Sequence, residues 1–148
     1  MYKFYSVAFV VTAPTAGKRK ILVADDNSEI RRLLVLHLGQ SGYDTFEAST
    51  GHAAVEEAHA TLPDLIIMDL AMPDGTGDEA IALLKADTLT RDIPVIVLTA
   101  SLYGVLVDRA IAAGATEVVH KPVTFKYLNA VLQRHLSVQR RRHQIVDA

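Results

Sequence analysis

The chain has 148 residues, enough for one domain, and its 15 lysines and arginines against 17 aspartates and glutamates leave a formal charge of −2. Half of it is apolar and none of it is cysteine, which excludes disulfides, thiolate metal centres and cysteine nucleophiles and leaves any metal to oxygen or imidazole. The near-balance disfavours a strongly basic nucleic-acid binder, and no uninterrupted run of about 18 apolar residues is present to span a bilayer.

Counted in pieces, the charge is segregated. Residues 1–20 carry +4, residues 21–125 carry 6 basic against 16 acidic side chains, and residues 126–148 again carry +4. An acidic body between basic ends raises the question of what so many carboxylates do in one compact unit.

Residues 1–18 read as a leader. The short apolar run from Phe4 to Val11 mimics a secretory signal superficially, but it is short, and a flexible leader or an extra edge strand fits it better. From Lys20 onward, aliphatic runs alternate with segments of helical period. Ile21-Leu22-Val23-Ala24 reads as a buried strand, and Ser28 as the cap of a helix carrying Ile30, Leu33, Leu34 and Leu38 on one face. A weaker strand spans about Asp44 to Ala48, and its helix, from about Gly51 to Ala60, turns Ala54, Val55 and Ala58 inward.

Leu65-Ile66-Ile67-Met68 is the clearest core strand, followed by a loop through Pro73, Gly75 and Gly77 and a helix using Ala80, Ile81 and Leu84. Pro94 opens a fourth strand, Val95-Ile96-Val97-Leu98, and its helix runs from about Tyr103 to Ala113, stopping at Gly114. The fifth strand is Glu117 to His120. The last helix carries Phe125, Leu128, Leu132 and Leu136, and residues 138–148 read as a frayed basic tail. The alternation predicts an α/β domain over residues 19–137, a doubly wound five-stranded parallel sheet of order 2-1-3-4-5 with helices on both faces, flavodoxin-like.

Function in such a sheet collects at the carboxyl ends of the strands. There the first strand delivers Asp25 and Asp26, the third Asp69, the fourth Thr99 and the fifth Lys121. Three converging carboxylates repel one another by roughly 4 kcal/mol per pair at about 4 Å and an effective dielectric of about 20. A hard divalent ion such as Mg²⁺, with Lys121, resolves that repulsion. Asp69 then reads as a nucleophile toward a phosphoryl group, with Thr99 and Lys121 stabilising the charge on its oxygens.

The motifs Val23-Ala24-Asp25-Asp26-Asn27, Met68-Asp69-Leu70 with Met72-Pro73 and Gly77, Leu98-Thr99-Ala100, Gly114-Ala115 and His120-Lys121-Pro122 stand in order on these strand ends. With them the chain resembles the receiver domain of bacterial two-component response regulators, of the stand-alone chemotaxis-regulator kind, over about residues 19–137. The resemblance implies a cytoplasmic phosphoprotein whose Asp69 takes a phosphoryl group from a histidine kinase or histidine phosphotransfer protein. It implies Mg²⁺ held by Asp25, Asp26, Asp69 and the backbone carbonyl of Ala71, with Thr99 and Lys121 meeting the phosphoryl group. It also implies a cis bond before Pro122 and a switching face built from the fourth helix, fifth strand and fifth helix. Such a module is no enzyme beyond its own phosphorylation and dephosphorylation.

Three positions depart from the family pattern. Val118 stands where the family places Tyr or Phe as a rotating switch residue, and a valine packed in a strand is its plainer reading. Leu102, Tyr103, Val105 and Leu106 are apolar where the family is often polar, which reads as core, as a helix that begins late, or as a docking patch for a partner or a second copy in a phosphorylation-dependent homodimer. Gly75 replaces a larger apolar residue, so the Gly75-Thr76-Gly77 run is expected to be mobile, with Thr76 as a helix cap.

Other readings are weaker. The six histidines show no paired ligand spacing, Arg140-Arg141-Arg142 lacks the aromatics of a nucleic-acid patch, and no DNA-binding helix-turn-helix or membrane segment is legible. An aspartyl-phosphate phosphohydrolase of the haloacid-dehalogenase type would need a second Asp where Ala71 stands. A nucleotide-binding domain would need glycines where Asp25-Asp26-Asn27-Ser28 stands. The runner-up is a receiver-like interaction scaffold whose output does not depend on phosphorylation.

Overall fold

Short apolar runs pair side by side, and the helical segments between them return each chain end to the same side of the sheet. A computed structural model of the chain describes residues 17–101 and 104–147, with side chains as far as residue 138. The expected leader falls mostly outside the described residues, as do Leu102 and Tyr103. The strands are β1 (Lys20–Ala24), β2 (Asp44–Ala48), β3 (Leu65–Met68), β4 (Val95–Thr99) and β5 (Glu117–His120). The helices are α1 (Ser28–Gln40), α2 (Gly51–Thr61), α3 (Gly77–Ala86), α4 (Val105–Ala113) and α5 (Phe125–Asp147). All pairings are parallel and the order is β2-β1-β3-β4-β5, the predicted doubly wound sheet.

Strand side chains alternate between two cores. Ile21, Val23, Leu65, Ile67, Ile96 and Leu98 meet α1 and α5 through Leu34, Leu38, Leu128 and Leu132. Leu22, Ala24, Ile66, Met68, Val95 and Val97 meet the opposite layer through Ala54, Ala58, Ile81, Leu84 and Ala110. Both faces of the central strands are therefore buried, which is why they read as continuous apolar runs rather than as alternation.

Helix ends depart from expectation in three places. Asn27, not Ser28, caps α1: its Oδ1 accepts the Glu29 and Ile30 N–H groups, both at 3.0 Å, because Asn27 is the last residue with extended backbone. Helix α4 begins at Val105, behind Gly104 at φ +40°, so it is shorter than its apolar spacing suggests. The segment expected as a frayed tail continues α5 through Asp147. No glycine or proline follows Leu136 to stop it, and arginine and glutamine are good helix formers.

One surface clasp fastens α2 to the chain after α3. The His59 Nδ1 lies 2.9 Å from the Val55 carbonyl oxygen and its Nε2 lies 2.9 Å from Asp87 Oδ2. Both ring nitrogens face acceptors, so the protonated ring satisfies both. The Asp87 bond, and then the Val55 carbonyl, raise the His59 pKa, while the His59 bond and the Leu89 N–H lower that of Asp87. A raised histidine contributes stability that is full below about pH 6.5 and lost as pH rises through its folded value, and a lowered aspartate contributes only above about pH 4. The difference in thermal midpoint between wild type and His59→Gln is expected to be largest near about pH 5 and to shrink above about pH 7. Because the pair is exposed, the difference is small and falls with added salt. Calorimetric melts across pH check this, and a difference growing toward alkaline pH would contradict the clasp.

Candidate functional site

The register that aligns Ala24 with Met68, Met68 with Val97, and Thr99 with His120 brings the carboxyl ends of β1, β3, β4 and β5 to one edge. The residues following those ends meet there. Asp25 is 3% exposed, Asp69 8% and Thr99 1%, whereas Asp26 faces solvent. The Lys121 Nζ donates to Asp25 Oδ2 at 2.8 Å and stands 3.8 Å from Asp69 Oδ2. One carboxylate oxygen from each of Asp25, Asp26 and Asp69 lies within 4.8 Å of the others.

Main-chain donors orient two of these groups. Asp25 Oδ1 accepts the Asn27 N–H at 2.9 Å, and Asp69 Oδ1 accepts the Leu70 N–H at 2.8 Å. The other Asp69 oxygen, Oδ2, is the one facing Lys121. Burial raises the Asp69 pKa from its ordinary value, and the charges of Asp25 and Asp26 push the same way against Lys121 and the Leu70 N–H. Three hard oxygen donors around a single ammonium leave uncompensated negative charge, and this donor set fits an oxygen-seeking divalent cation.

Thr99 accepts the Ser101 N–H on its Oγ1 at 3.1 Å, which leaves the hydroxyl proton to be donated at the site. The Lys121–Pro122 peptide is cis. Ala71 lies exposed in the loop directly after Asp69 and Leu70. Val118 and Leu106 are both half-buried and pack on the core beneath α2, α3 and α4. Leu106 packs against that core with part of its side chain still exposed.

The loop between β3 and α3 is not the loose run its glycines suggest. Gly75 takes φ +94°, and a Cβ on Gly51, at the start of α2, would fall 2.0 Å from the Gly75 carbonyl oxygen. The His52 N–H bonds the Asp74 carbonyl at 3.1 Å, and the His52 ring bonds the Asp74 carboxylate at 3.0 Å. Gly77 opens α3 against the main chain of Asp69, and the preceding Thr76 N–H is held by the Glu79 carboxylate at 3.2 Å. Glycine at 75 follows from the positive φ and the close approach of α2.

Sequence reasoning passed over Arg31. One helical turn after Asn27, its Nη1 donates to the backbone carbonyl of Asp25 at 2.7 Å and its Nε to Glu47 Oε1 at 2.9 Å. The only sequence cue is a basic residue one turn into the helix after paired aspartates.

A family model described as the response regulator receiver domain matches residues 21–133. The phosphate regulon transcriptional regulatory protein PhoB of Klebsiella pneumoniae is 38% identical over 112 residues, covering 76% of this chain and 49% of that protein. The chain therefore spans about half the length of the curated relatives it matches. Among solved structures, the chemotaxis protein CheY4 of Vibrio cholerae superposes with a TM-score of 0.74 at 30% identity, covering 79% of this chain and 98% of that one. The receiver domain of the sensor histidine kinase PA1611 of Pseudomonas aeruginosa, solved with a magnesium ion coordinated in its active-site cleft, gives 0.77 at 28% identity over 81% of this chain and 98% of that one.

Proposed function

The chain belongs to the response regulator receiver domain family, and from that premise we propose that Asp69 is its phosphoacceptor, served by Lys121 and Thr99. Phosphoacceptor signalling is the work of the family, and histidine kinases are the partners it implies. The single observation that carries the assignment is the placement of Asp69 Oδ2 opposite Lys121, beside two further carboxylates on the same edge.

Each residue has a task. With Oδ1 held by the Leu70 N–H, Oδ2 forms the new bond to phosphorus. The P–N bond of a phosphohistidine donor breaks, and its electron pair leaves on the imidazole nitrogen, which takes up a proton. Lys121 and the Thr99 hydroxyl then bind the phosphoryl oxygens that Asp69 carries. Mg²⁺ held by Asp25, Asp26, Asp69 and the Ala71 carbonyl would offset the negative charge gathered there.

The donor is a histidine kinase or a histidine phosphotransfer protein, and the output surface is the face of α4, β5 and α5. Val105, 66% exposed, and Tyr127, 50% exposed, offer that face apolar contacts alongside the half-buried Leu106. Among the described residues no helix is long and apolar enough to cross a membrane. The scaffold reading rests on Val118 alone, whereas the phosphorylatable reading is supported by Asp25, Asp26, Asp69, Thr99 and Lys121 together.

Incubation with acetyl phosphate and Mg²⁺ is expected to give one covalent phosphoryl adduct by intact-mass spectrometry, labile to hydroxylamine and absent when the cation is chelated. No adduct under these conditions would overturn the assignment. Light scattering on the same preparation, with Val105→Glu alongside, tests the output face: an assembly induced by phosphorylation and lost in the variant supports it, and an assembly indifferent to the substitution counts against it.

A further inference from the structure

We infer that Arg31 is a positioning residue for the divalent-cation site, acting through the peptide that joins Asp25 to Asp26. The inference rests on the assignment of that cation to Asp25, Asp26 and Asp69. The carbonyl that accepts the Arg31 Nη1 at 2.7 Å belongs to the Asp25–Asp26 peptide itself. The orientation of this one plane sets the direction in which both neighbouring carboxylates leave the backbone. Asp25 then needs to reach Lys121, while Asp26 stands toward solvent with an oxygen still within 4.8 Å of its partners.

The fork geometry of the guanidinium explains why arginine serves here. Its second arm, Nε, is fixed at 2.9 Å by Glu47 on β2, so the side chain spans from α1 to the neighbouring strand and is only 18% exposed. Asn27 holds the same turn from the other side, through its N–H to Asp25 Oδ1 and its side-chain cap on α1. The turn bearing two cation ligands is thereby tied at its carbonyl, at its carboxylate and at the helix it leads into. Lysine keeps the charge but cannot donate in two fixed directions. Arg32, next in sequence, is exposed and forms the natural control.

Calorimetric titration of Mg²⁺ into the full unphosphorylated chain tests this with no reliance on activity. Arg31→Gln is expected to weaken binding about 10- to 100-fold, the usual effect of removing a residue that orients a metal ligand. Arg31→Lys is expected to fall between that variant and wild type, Glu47→Gln to show a smaller loss, and Arg32→Gln to match wild type. Loss of the guanidinium charge by itself removes repulsion and would strengthen cation binding, an effect that fades at high salt, so weaker binding by Arg31→Gln reports lost positioning and is expected to persist in added salt. Melts without Mg²⁺ verify that each variant is folded. If Arg31→Gln does not fold, Arg31→Lys and Glu47→Gln carry the test. Affinities equal to or tighter than wild type in the folded Arg31 variants would overturn the role of Arg31. Absence of Mg²⁺ binding by the wild type would instead overturn the cation assignment beneath it.

Discussion

Asp69→Asn is expected to abolish formation of the phosphoryl adduct while leaving the fold intact. The substitution keeps the size of the side chain and an oxygen able to accept the Leu70 N–H, the bond that Asp69 Oδ1 makes at 2.8 Å. It removes the anionic nucleophile, because an amide oxygen does not form a stable bond to phosphorus under these conditions. The energetic consequence for folding runs the other way. Asp69 is 8% exposed among the carboxylates of Asp25 and Asp26, and burial together with those charges disfavours its ionised form. Removing one of three mutually repelling charges is expected to leave the thermal midpoint without Mg²⁺ unchanged or raised. Mass spectrometry and calorimetric melts on one preparation read both effects. An adduct surviving in Asp69→Asn would move the phosphoacceptor to another side chain. A large fall in midpoint would mean that loss of phosphorylation reflects damage to the fold.

The centre of the sheet was legible because its strands are buried on both faces. Leu65–Met68 has the limits its aliphatic run suggests and Val95–Thr99 extends its run by one residue, whereas the edge strand Glu117–His120 is only partly buried. The carboxylates, Thr99 and Lys121 were legible for a related reason: in a parallel sheet, the residue following each buried run stands at the functional edge. What escaped depends on contacts between segments distant in sequence. Arg31 sits in an amphipathic helix where a basic residue ordinarily meets solvent, and its contacts appear only once the turn after β1 brings the Asp25 carbonyl, and β2 brings Glu47, beside it. The pinned loop after Asp69 escaped likewise, since Gly75 reads as freedom until Gly51 is found against its carbonyl. The helical course of α5 past Leu136 has a different cause: its charged residues suggest a solvated tail, but arginine and glutamine also favour helix and no glycine or proline interrupts them.

Gly77→Ala is expected to destabilise the protein by about 2–3 kcal/mol and to impair phosphorylation at the same time. In an isolated helix the same change is favourable by about 1 kcal/mol, since alanine is the better helix former. At this position the added Cβ would fall 2.2 Å from the Asp69 carbonyl oxygen and 2.8 Å from the Leu70 Cα. Both are main-chain atoms, so no side chain can rotate away, and relief requires either α3 or the turn after β3 to shift. That turn also carries the Leu70 carbonyl that accepts the Gly77 N–H at 2.9 Å and the Leu70 N–H that orients Asp69. Steric cost therefore exceeds helix propensity, and the displaced atoms are those that aim the phosphoacceptor. Gly39→Ala supplies the opposite sign: near the end of α1 a Cβ meets nothing within 4 Å, and a gain of about 0.5–1 kcal/mol is expected there. Urea unfolding of both variants, with the rate of adduct formation from acetyl phosphate, checks the pair. A Gly77→Ala protein as stable and as readily phosphorylated as wild type would show that the start of α3 does not brace the Asp69 turn.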